Sequence, residues 1–240
     1  MVTSFHLFNL LKSTDTEEYK SFVLSTIGRY TEYYSQNKSF HCGRLIPRKT
    51  ERFNMCAMFQ WDSPSIDEAI GSMKANNSKP NDITEIENKL NTFRDKNETM
   101  SIWIESLVPS LNSDEVVDLS NGILRISTYD LAKGKSAEEF VEFDKRVTSQ
   151  YSLHLKPIDW LYQGTFKIRR GERNIFGELD YIKAPSPEAA LERDKGLGEP
   201  QEITDIIKKC STFPEPGSKF GFWLEPFVIS EYAKKGIKFI

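Results

Sequence analysis

Apolar residues alternate along several short stretches of the chain and recur at helical spacing in the segments between them. The stretch from Phe53 to Trp61 shows the alternation well, because every second residue is apolar, which is typical of a strand. Helix starts are marked by Asp15 followed by Glu18 and by Ser136 followed by Glu139, a pattern typical of helix N-termini. The pattern predicts the order strand, helix, strand, strand, helix, strand in each half of the chain.

The two halves also resemble each other in sequence. A shift of 121 residues places 9–19 on 130–140, and after the loss of one residue a shift of 120 places 68–110 on 188–230. We therefore expect an N-terminal repeat over 1–112, a linker over 113–122 and a C-terminal repeat over 123–240.

This element order predicts an α+β fold. Strand, helix, strand, strand, helix, strand is the ferredoxin-like β-α-β-β-α-β unit, whose helices cover only one face of its antiparallel sheet. The bare apolar face needs a partner, and a second copy of the unit supplies one. We expect the two sheets to pack together as an intramolecular α/β barrel of the dimeric type.

The composition of the chain limits the kinds of partner that the protein is expected to bind. The chain has 32 basic and 35 acidic residues, and a net charge of −3 does not favour binding to nucleic acid. No apolar run reaches the length of a membrane span, so no membrane partner is expected. Three widely spaced cysteines suit a reducing compartment, and we expect a cytoplasmic protein that is a monomer or a homodimer of the fused barrel.

A Trp-x-Glu motif occurs on the last predicted strand of each repeat. Glu105 follows Trp103 and Glu225 follows Trp223, so each glutamate shares a strand face with a tryptophan. A buried carboxylate with a raised pKa could act as a catalytic base. The alternative is that each glutamate pairs with an arginine, such as Arg52 or Arg173 from the predicted hairpin, and only holds the strands together. His41 on the second strand is a further candidate base, against the alternative of an ordinary core histidine.

Aromatic side chains with polar tips are numerous enough to line a pocket for a planar ligand. The alternative is that they are ordinary core. The candidates for ligand binding are Tyr30, Trp61, Trp103, Tyr129, Tyr162, Tyr181 and Trp223. Motifs for a nucleotide, a metal or a nucleophile elbow are absent from the sequence, so we expect no cofactor and no metal.

The segment from Phe59 to Ala69 carries a family resemblance. Here the third predicted strand ends in Trp61 and runs into a helix that starts near Pro64. In this feature and in element order the chain resembles the dimeric α/β-barrel superfamily, in particular antibiotic-biosynthesis-monooxygenase-like domains fused in tandem. Members of that superfamily include cofactor-free monooxygenases, heme-degrading enzymes and heme-bearing chlorite dismutases.

The resemblance implies that a ligand binds between the sheet and its helices. It also allows the residues to be compared with those of heme-degrading members. The heme-degrading members have an Asn on the first strand, a Trp at the end of the third and a His on the next helix. Asn9 and Trp61 match the first two, and Asn9 becomes a candidate ligand-binding residue. Residues 65–77 contain no His, which makes a heme-binding or heme-degrading role the less favoured alternative.

These observations predict a small-molecule enzyme or binder for an apolar or aromatic ligand, with a cofactor-free monooxygenase-like activity as its most specific form. The alternative is a non-catalytic interaction or stress-related module in which the barrel is only a scaffold. An enclosed pocket of about 300 Å³ or more with a perturbed titratable group would favour the enzyme.

Overall fold

Eight antiparallel strands form a closed barrel, and helices pack on its outer side. A computed structural model describes residues 1–75, 79–170 and 173–239. The strands are β1 Val2–Leu10, β2 Ser39–Arg48, β3 Met55–Trp61, β4 Arg94–Pro109, β5 Ile123–Tyr129, β6 Trp160–Arg170, β7 Arg173–Ile182 and β8 Phe220–Ile229. The α-helices in the described ranges are α1 Thr16–Gln36, α2 Ile66–Ala75, α3 Asn81–Thr92, α4 Ala137–Leu155, α5 Pro187–Leu197, α6 Gln201–Cys210 and α7 Glu231–Lys234. None of these helices is long and apolar enough to cross a bilayer.

The barrel is closed by strand pairing between the two halves of the chain. The strand order around the barrel is β1-β3-β2-β8-β5-β7-β6-β4, so β2 pairs with β8 and β4 pairs with β6. The predicted α+β barrel is therefore present, but the two sheets share hydrogen-bonded edges in addition to facing each other across the core. The Arg169-Arg170-Gly171-Glu172-Arg173 segment of the sequence predicts a hairpin turn, of which Gly171 and Glu172 lie outside the described residues.

The two halves have matching strand registers. Val2 pairs with Trp61 in the first half and Ile123 pairs with Ile182 in the second, an offset of 121 residues at both partners. For β4 and β8 the offset is 120, because Gly43 pairs with Ile229 whereas Gly164 pairs with Pro109. Positions in the two halves can therefore be compared one to one.

The barrel interior is a single apolar core. It is filled by large side chains from all eight strands, for example Phe5, Leu45, Met58, Ile104, Ile126, Phe166, Leu179 and Phe222. Residues from the segment between β4 and β5 and from the C-terminal tail join the same core, namely Val117, Leu119, Ile237 and Phe239. Val117 and Ile237 also pair through their backbones. The connecting segment and the tail thus extend the core beyond the strands.

Gly43 and Gly164 lie at bulges where the halves meet. Each has a positive φ, +154° and +122°, and each follows a register shift in its strand. A Cβ at Gly164 would lie 2.3 Å from the backbone oxygen of Val108, and one at Gly43 would lie 2.4 Å from that of Val228. Only glycine allows the strands to approach this closely.

Candidate active site

A cavity of about 230 Å³ lies between the sheet of the C-terminal half and helices α4 and α6. Its wall is formed by one face of α4, by outward-facing residues of β5, β6 and β7, and by Lys219, which directly precedes β8. The titratable side chains that line it include Arg125, Tyr129, Asp144, Tyr151, Tyr162 and Glu178.

Asp144 lies on the apolar face of α4. Helix α4 starts at Ser136, whose side chain accepts a hydrogen bond from the backbone N–H of Glu139. The helical repeat then places Asp144 beside Phe140, because residues four apart lie on one helix face. Asp144 is only 5% exposed, and its Oδ2 has no hydrogen-bond partner among the described residues.

The protonation of Asp144 follows from this environment. Burial raises the pKa of its carboxyl to about 6, the negative charge of Glu178 adds to the rise, and a hydrogen bond with Thr165 opposes it. A carboxylate with a pKa near 6 and one free oxygen atom can accept a proton from a bound molecule at neutral pH.

Glu178 is the second acidic residue of the cavity. It lies on β7 and faces outward, opposite Ser127 of β5. Burial raises the pKa of Glu178, whereas the nearby cations Arg125 and Lys219 lower it. Two carboxyl groups of raised pKa thus line one small cavity, a feature that is enriched at functional sites.

Asp180, the next outward-facing residue of β7, is in contrast fully paired. One carboxylate oxygen accepts a hydrogen bond from Arg125 Nε at 2.9 Å, and the other accepts one from Trp160 Nε1 at 2.9 Å. The Arg125 guanidinium lies over the Trp160 ring, 4.9 Å from its centre. Asp180 therefore anchors the cavity wall, while Asp144 keeps an unpaired oxygen.

Three tyrosines supply neutral phenol groups to the cavity. Burial raises the pKa of Tyr129, Tyr151 and Tyr162, so all three keep their proton at neutral pH. The Tyr162 hydroxyl lies 3.0 Å from Oγ1 of Thr165, the residue that hydrogen bonds to Asp144. Neutral phenols can donate hydrogen bonds to a carbonyl or to an oxyanion.

The two glutamates of the Trp-x-Glu motifs lie outside this cavity. Glu105 accepts a hydrogen bond from the backbone N–H of Ile66, the first residue of α2, at 3.1 Å. Glu225 forms a salt bridge with Arg48 across the β2–β8 joint at 2.7 Å. The alternative interpretation pairs each glutamate with an arginine of the hairpin, Arg52 or Arg173. Among the described residues Glu225 does form a salt bridge with an arginine, but its partner is Arg48, and Arg173 pairs with Asp130.

His41 is also held in place by burial, a hydrogen bond and ring packing. It is buried in the N-terminal half, and Arg44 donates a hydrogen bond to its Nε2. Burial and the charge of Arg44 lower the pKa of His41 well below its usual range. The imidazole packs between Tyr30 and Phe59, with ring centres 5.2 Å and 4.9 Å away.

The predicted ligand-binding aromatic residues divide into three groups. Tyr129 and Tyr162 line the C-terminal cavity, and Tyr30 and Trp61 line a second cavity in the N-terminal half. Trp103 and Trp223 are buried in the packing between sheet and helices, where they contact Trp61 and Trp160. Tyr181 points into the barrel interior, where its hydroxyl donates to the backbone oxygen of Asp118.

Asn9 lies at the end of β1. Its side-chain amide donates to the backbone oxygen of Arg52 at 2.8 Å and to Glu98 at 2.6 Å. It therefore joins three segments at an exposed strand end and is not among the described residues that line either cavity.

The residues of the two cavities do not fit a heme. Heme iron needs an axial ligand such as histidine, and no histidine is among the described residues that line the C-terminal cavity. In the N-terminal half His6 lines the second cavity, but both of its ring nitrogens are hydrogen bonded, to Ser101 and Ser4. His41 has an Nδ1 without a hydrogen-bond partner, but it is not among the described residues that line that cavity.

Comparisons with known proteins give matches in structure alone. Neither a known protein family nor a curated protein matches the sequence. A candidate monooxygenase from Lactobacillus acidophilus is similar in structure over 99% of this chain and 98% of its own, with a TM-score of 0.59 and 10% identity. An anthrone oxidase-like protein is similar over 95% of this chain and 91% of its own, with a TM-score of 0.52 and 11% identity.

A third similar structure is a heme-binding protein from Thermus thermophilus. It is similar over 98% of this chain and 93% of its own, with a TM-score of 0.51 and 10% identity. Identities this low carry information about the fold and none about the reaction. The chain therefore shares its fold, a closed eight-stranded antiparallel barrel with helices on the outer side, with these three structures.

Proposed function

We propose that the C-terminal cavity binds a small aromatic molecule and that Asp144 acts on it as a general base. The observation that carries this proposal is the buried carboxylate of Asp144, whose Oδ2 has no partner among the described residues. Leaving a buried polar atom unpaired costs about 1–3 kcal/mol, so the position is unfavourable for folding unless a bound molecule uses it.

The size and the lining of the cavity support a ligand of one or two rings. Its volume of about 230 Å³ is below the expected 300 Å³, and a heme-sized molecule is not supported. Phe140, Val147 and Ile206 supply apolar wall, and the tyrosines supply hydrogen-bond donors at its edge. A planar phenol or quinol matches this combination.

Cofactor-free oxygenation is the reaction that such a site suits best. Asp144 removes a proton from a carbon or an oxygen of a substrate whose rings stabilise the resulting anion. The anion then reduces dioxygen. For a phenol or naphthol that reacts as its keto tautomer, which has a ring CH₂ group, the balance is R₂CH₂ + O₂ → R₂C=O + H₂O, with one oxygen atom entering the product and the other leaving as water. Phenol donors such as Tyr162 stabilise the anion, and the enclosed cavity limits water around it.

We also infer that the two halves derive from one unit. The supporting observation is the identical register of the strands in residues 1–112 and 123–240, joined by 113–122. A tandem pair of antibiotic-biosynthesis-monooxygenase-like domains agrees with this register. In such a pair the acids are present in only one half, because the positions of Asp144 and Glu178 are occupied by Val23 and Ala57 in the other.

The test is a screen of one- and two-ring phenols, hydroquinones and naphthols, with dioxygen uptake and melting temperature as the two readouts. Asp144→Asn is compared with Glu225→Gln, which changes a carboxylate outside the cavity. General-base catalysis contributes roughly 10²–10⁴-fold, so we expect Asp144→Asn to lose at least 100-fold in uptake while ligands still raise its melting temperature.

The outcomes separate the alternatives. Dioxygen uptake that is equal in Asp144→Asn and in the wild type would contradict the role of Asp144. Ligands that raise the melting temperature without any turnover would favour a binding module over an enzyme. If no compound in the screen raises the melting temperature, the cavity is not a site for such ligands and the proposal is wrong.

A further inference from the structure

The N-terminal half contains a second cavity, of about 350 Å³, between its own sheet and helices α1 and α2. Two arginines line it, Arg44 from β2 and Arg94 from the start of β4. Tyr30, Phe59 and Met73 form part of the remaining wall. The cavity is thus cationic at one side and apolar or aromatic at the other.

Arg44 is buried without a counter-charge. Only 1% of the residue is exposed, and its guanidinium donates hydrogen bonds to the Tyr19 hydroxyl at 3.2 Å, to His41 and to the backbone oxygen of Gly43. All three acceptors are neutral, since the lowered pKa of His41 keeps its ring uncharged. These bonds satisfy donors of the guanidinium but leave its charge uncompensated.

Arg94 is only partly buried, but it too has no counter-charge among the described residues. Its Nε is buried and has no hydrogen-bond partner among the described residues. Its guanidinium lies over the Phe8 ring, 4.1 Å from the ring centre. Burial and the positive charge of Arg44 lower the pKa of Arg94, so the two arginines oppose each other electrostatically.

Glu87 does not line the cavity, but it binds two residues that do. Glu87 accepts hydrogen bonds from Lys79 Nζ at 2.7 Å and from the Tyr34 hydroxyl at 2.7 Å. Among the described residues neither Arg44 nor Arg94 forms a salt bridge. Two buried like charges without an anion are costly, and a bound anion would remove that cost.

The corresponding positions of the other half show that the arginines are specific to this cavity. With the offsets of 121 and 120, Arg44 corresponds to Thr165 and Arg94 to Pro214. Conversely, Val23 and Ala57 stand where the C-terminal cavity has Asp144 and Glu178. The two cavities occupy equivalent places in the barrel but differ in charge. Both acidic and basic side chains line the C-terminal cavity, whereas the charged side chains among the described residues that line the N-terminal cavity are basic.

We propose that the N-terminal cavity is a binding site for a small aromatic carboxylate. A guanidinium presents its N–H groups in a planar fork that matches a carboxylate, and the unpaired Nε of Arg94 is available for this bond. The rings of Tyr30 and Phe59 suit an arene on the other side of the molecule. The proposal does not depend on the function of the C-terminal cavity, since the two sites share no lining residue.

Benzoate titrations test this site. Binding is measured by calorimetry and by melting temperature with benzoate, with its uncharged amide benzamide, and with inorganic phosphate. We expect saturable binding of benzoate and at least tenfold weaker binding of benzamide. Arg94→Gln should weaken benzoate binding at least tenfold. Arg48→Gln removes an exposed arginine that pairs with Glu225 and should leave benzoate binding unchanged.

The variants also show which of the two cavities binds benzoate. Asp144→Asn should not change the affinity for benzoate, whereas an increase would place benzoate in the C-terminal cavity and overturn the proposal. Equal binding of benzoate and benzamide, or of benzoate to Arg94→Gln and wild type, would overturn it as well. Inorganic phosphate binding more tightly than benzoate would replace the aromatic carboxylate with a phosphate as the ligand class and so contradict the proposal.

Discussion

Asp180 accepts a hydrogen bond from Arg125 Nε at 2.9 Å, and this ion pair is buried beside the C-terminal cavity. The Asp180 side chain is fully buried, whereas a quarter of the Arg125 side chain is exposed. Breaking such a pair by removing one partner is strongly destabilising, because the remaining charge is left without compensation. Asp180 and Asp144 are thus two buried acids of the same half with opposite energetic roles.

The first prediction compares these two acids by the same substitution. Asp180→Asn should lower the free energy of unfolding by about 3 kcal/mol, because Arg125 loses its counter-charge. Asp144→Asn should raise it by about 1–3 kcal/mol at pH 7, because it removes a buried charge that has no compensating cation. Chemical denaturation of both variants and the wild type measures the two differences. A loss of stability in Asp144→Asn as large as that in Asp180→Asn would show that Asp144 is a structural residue.

The second prediction concerns the pH dependence of stability. The pKa of Asp144 rises from 3.8 in the unfolded chain to about 6 in the folded protein, so the folded state binds the proton more tightly. Stability associated with this group is present at low pH and is lost as pH rises from about 4 to about 6, by about 3 kcal/mol. The wild type and Asp144→Asn should therefore differ most above pH 6 and converge near pH 4. A difference between them that is independent of pH would contradict the raised pKa.

The third prediction concerns the glycine at the joint between β4 and β6. Gly164→Ala should lower the free energy of unfolding by about 2 kcal/mol or more, because the new Cβ would lie 2.3 Å from a backbone oxygen that cannot move away. Gly196→Ala in α5 is the matched control, since no atom lies within 4 Å of its added Cβ. In a helix this change should stabilise by about 0.5–1 kcal/mol. Equal effects of the two substitutions on thermal unfolding would contradict this account of the bulge.

The order of elements could be predicted from the sequence because each half has clear alternation, helix caps and turns. The closure of the barrel through the pairs β2–β8 and β4–β6 could not be predicted. The pattern of apolar and polar residues in these strands does not differ from that in the other strands. Bare apolar faces predict that the sheets meet, but pairing of edges depends on the whole barrel geometry.

The third strand of each half explains why the acids of the site were missed. The alternation in the second half, Ile175, Gly177, Leu179 and Tyr181, predicts the same strand face as the alternation from Met55 to Trp61 in the first half. In the structure the former set faces the barrel interior, whereas the latter faces the helices. Both faces of these strands are covered, so alternation cannot tell which set points inward. The strand pairing decides which set points inward. Val2 pairs with Trp61 and Ile123 pairs with Ile182, so Trp61 corresponds to Ile182 and not to Tyr181. Glu178 therefore occupies a helix-facing position.

The sequence does carry a signal for these acids, namely a charged residue at a position that the fold buries. Asp144 shows the same signal on the apolar face of α4.

In each Trp-x-Glu motif the tryptophan and the glutamate share a strand face, as the spacing predicts, but neither residue lines the C-terminal cavity. Trp103 and Trp223 pack in the layer between sheet and helices, while the glutamates contact a helix start and an arginine of a neighbouring strand. Sequence repetition in both halves therefore marks residues that hold the fold together, and the cavity charges are found where the halves differ.

The ring of eight strands has a consequence for association. Every described strand pairs with a neighbour on both sides over part of its length, so the barrel has no edge strand that could pair along its whole length with a strand of another chain. Self-association, or capture by another protein, would have to proceed through side chains on the helical shell and in the loops.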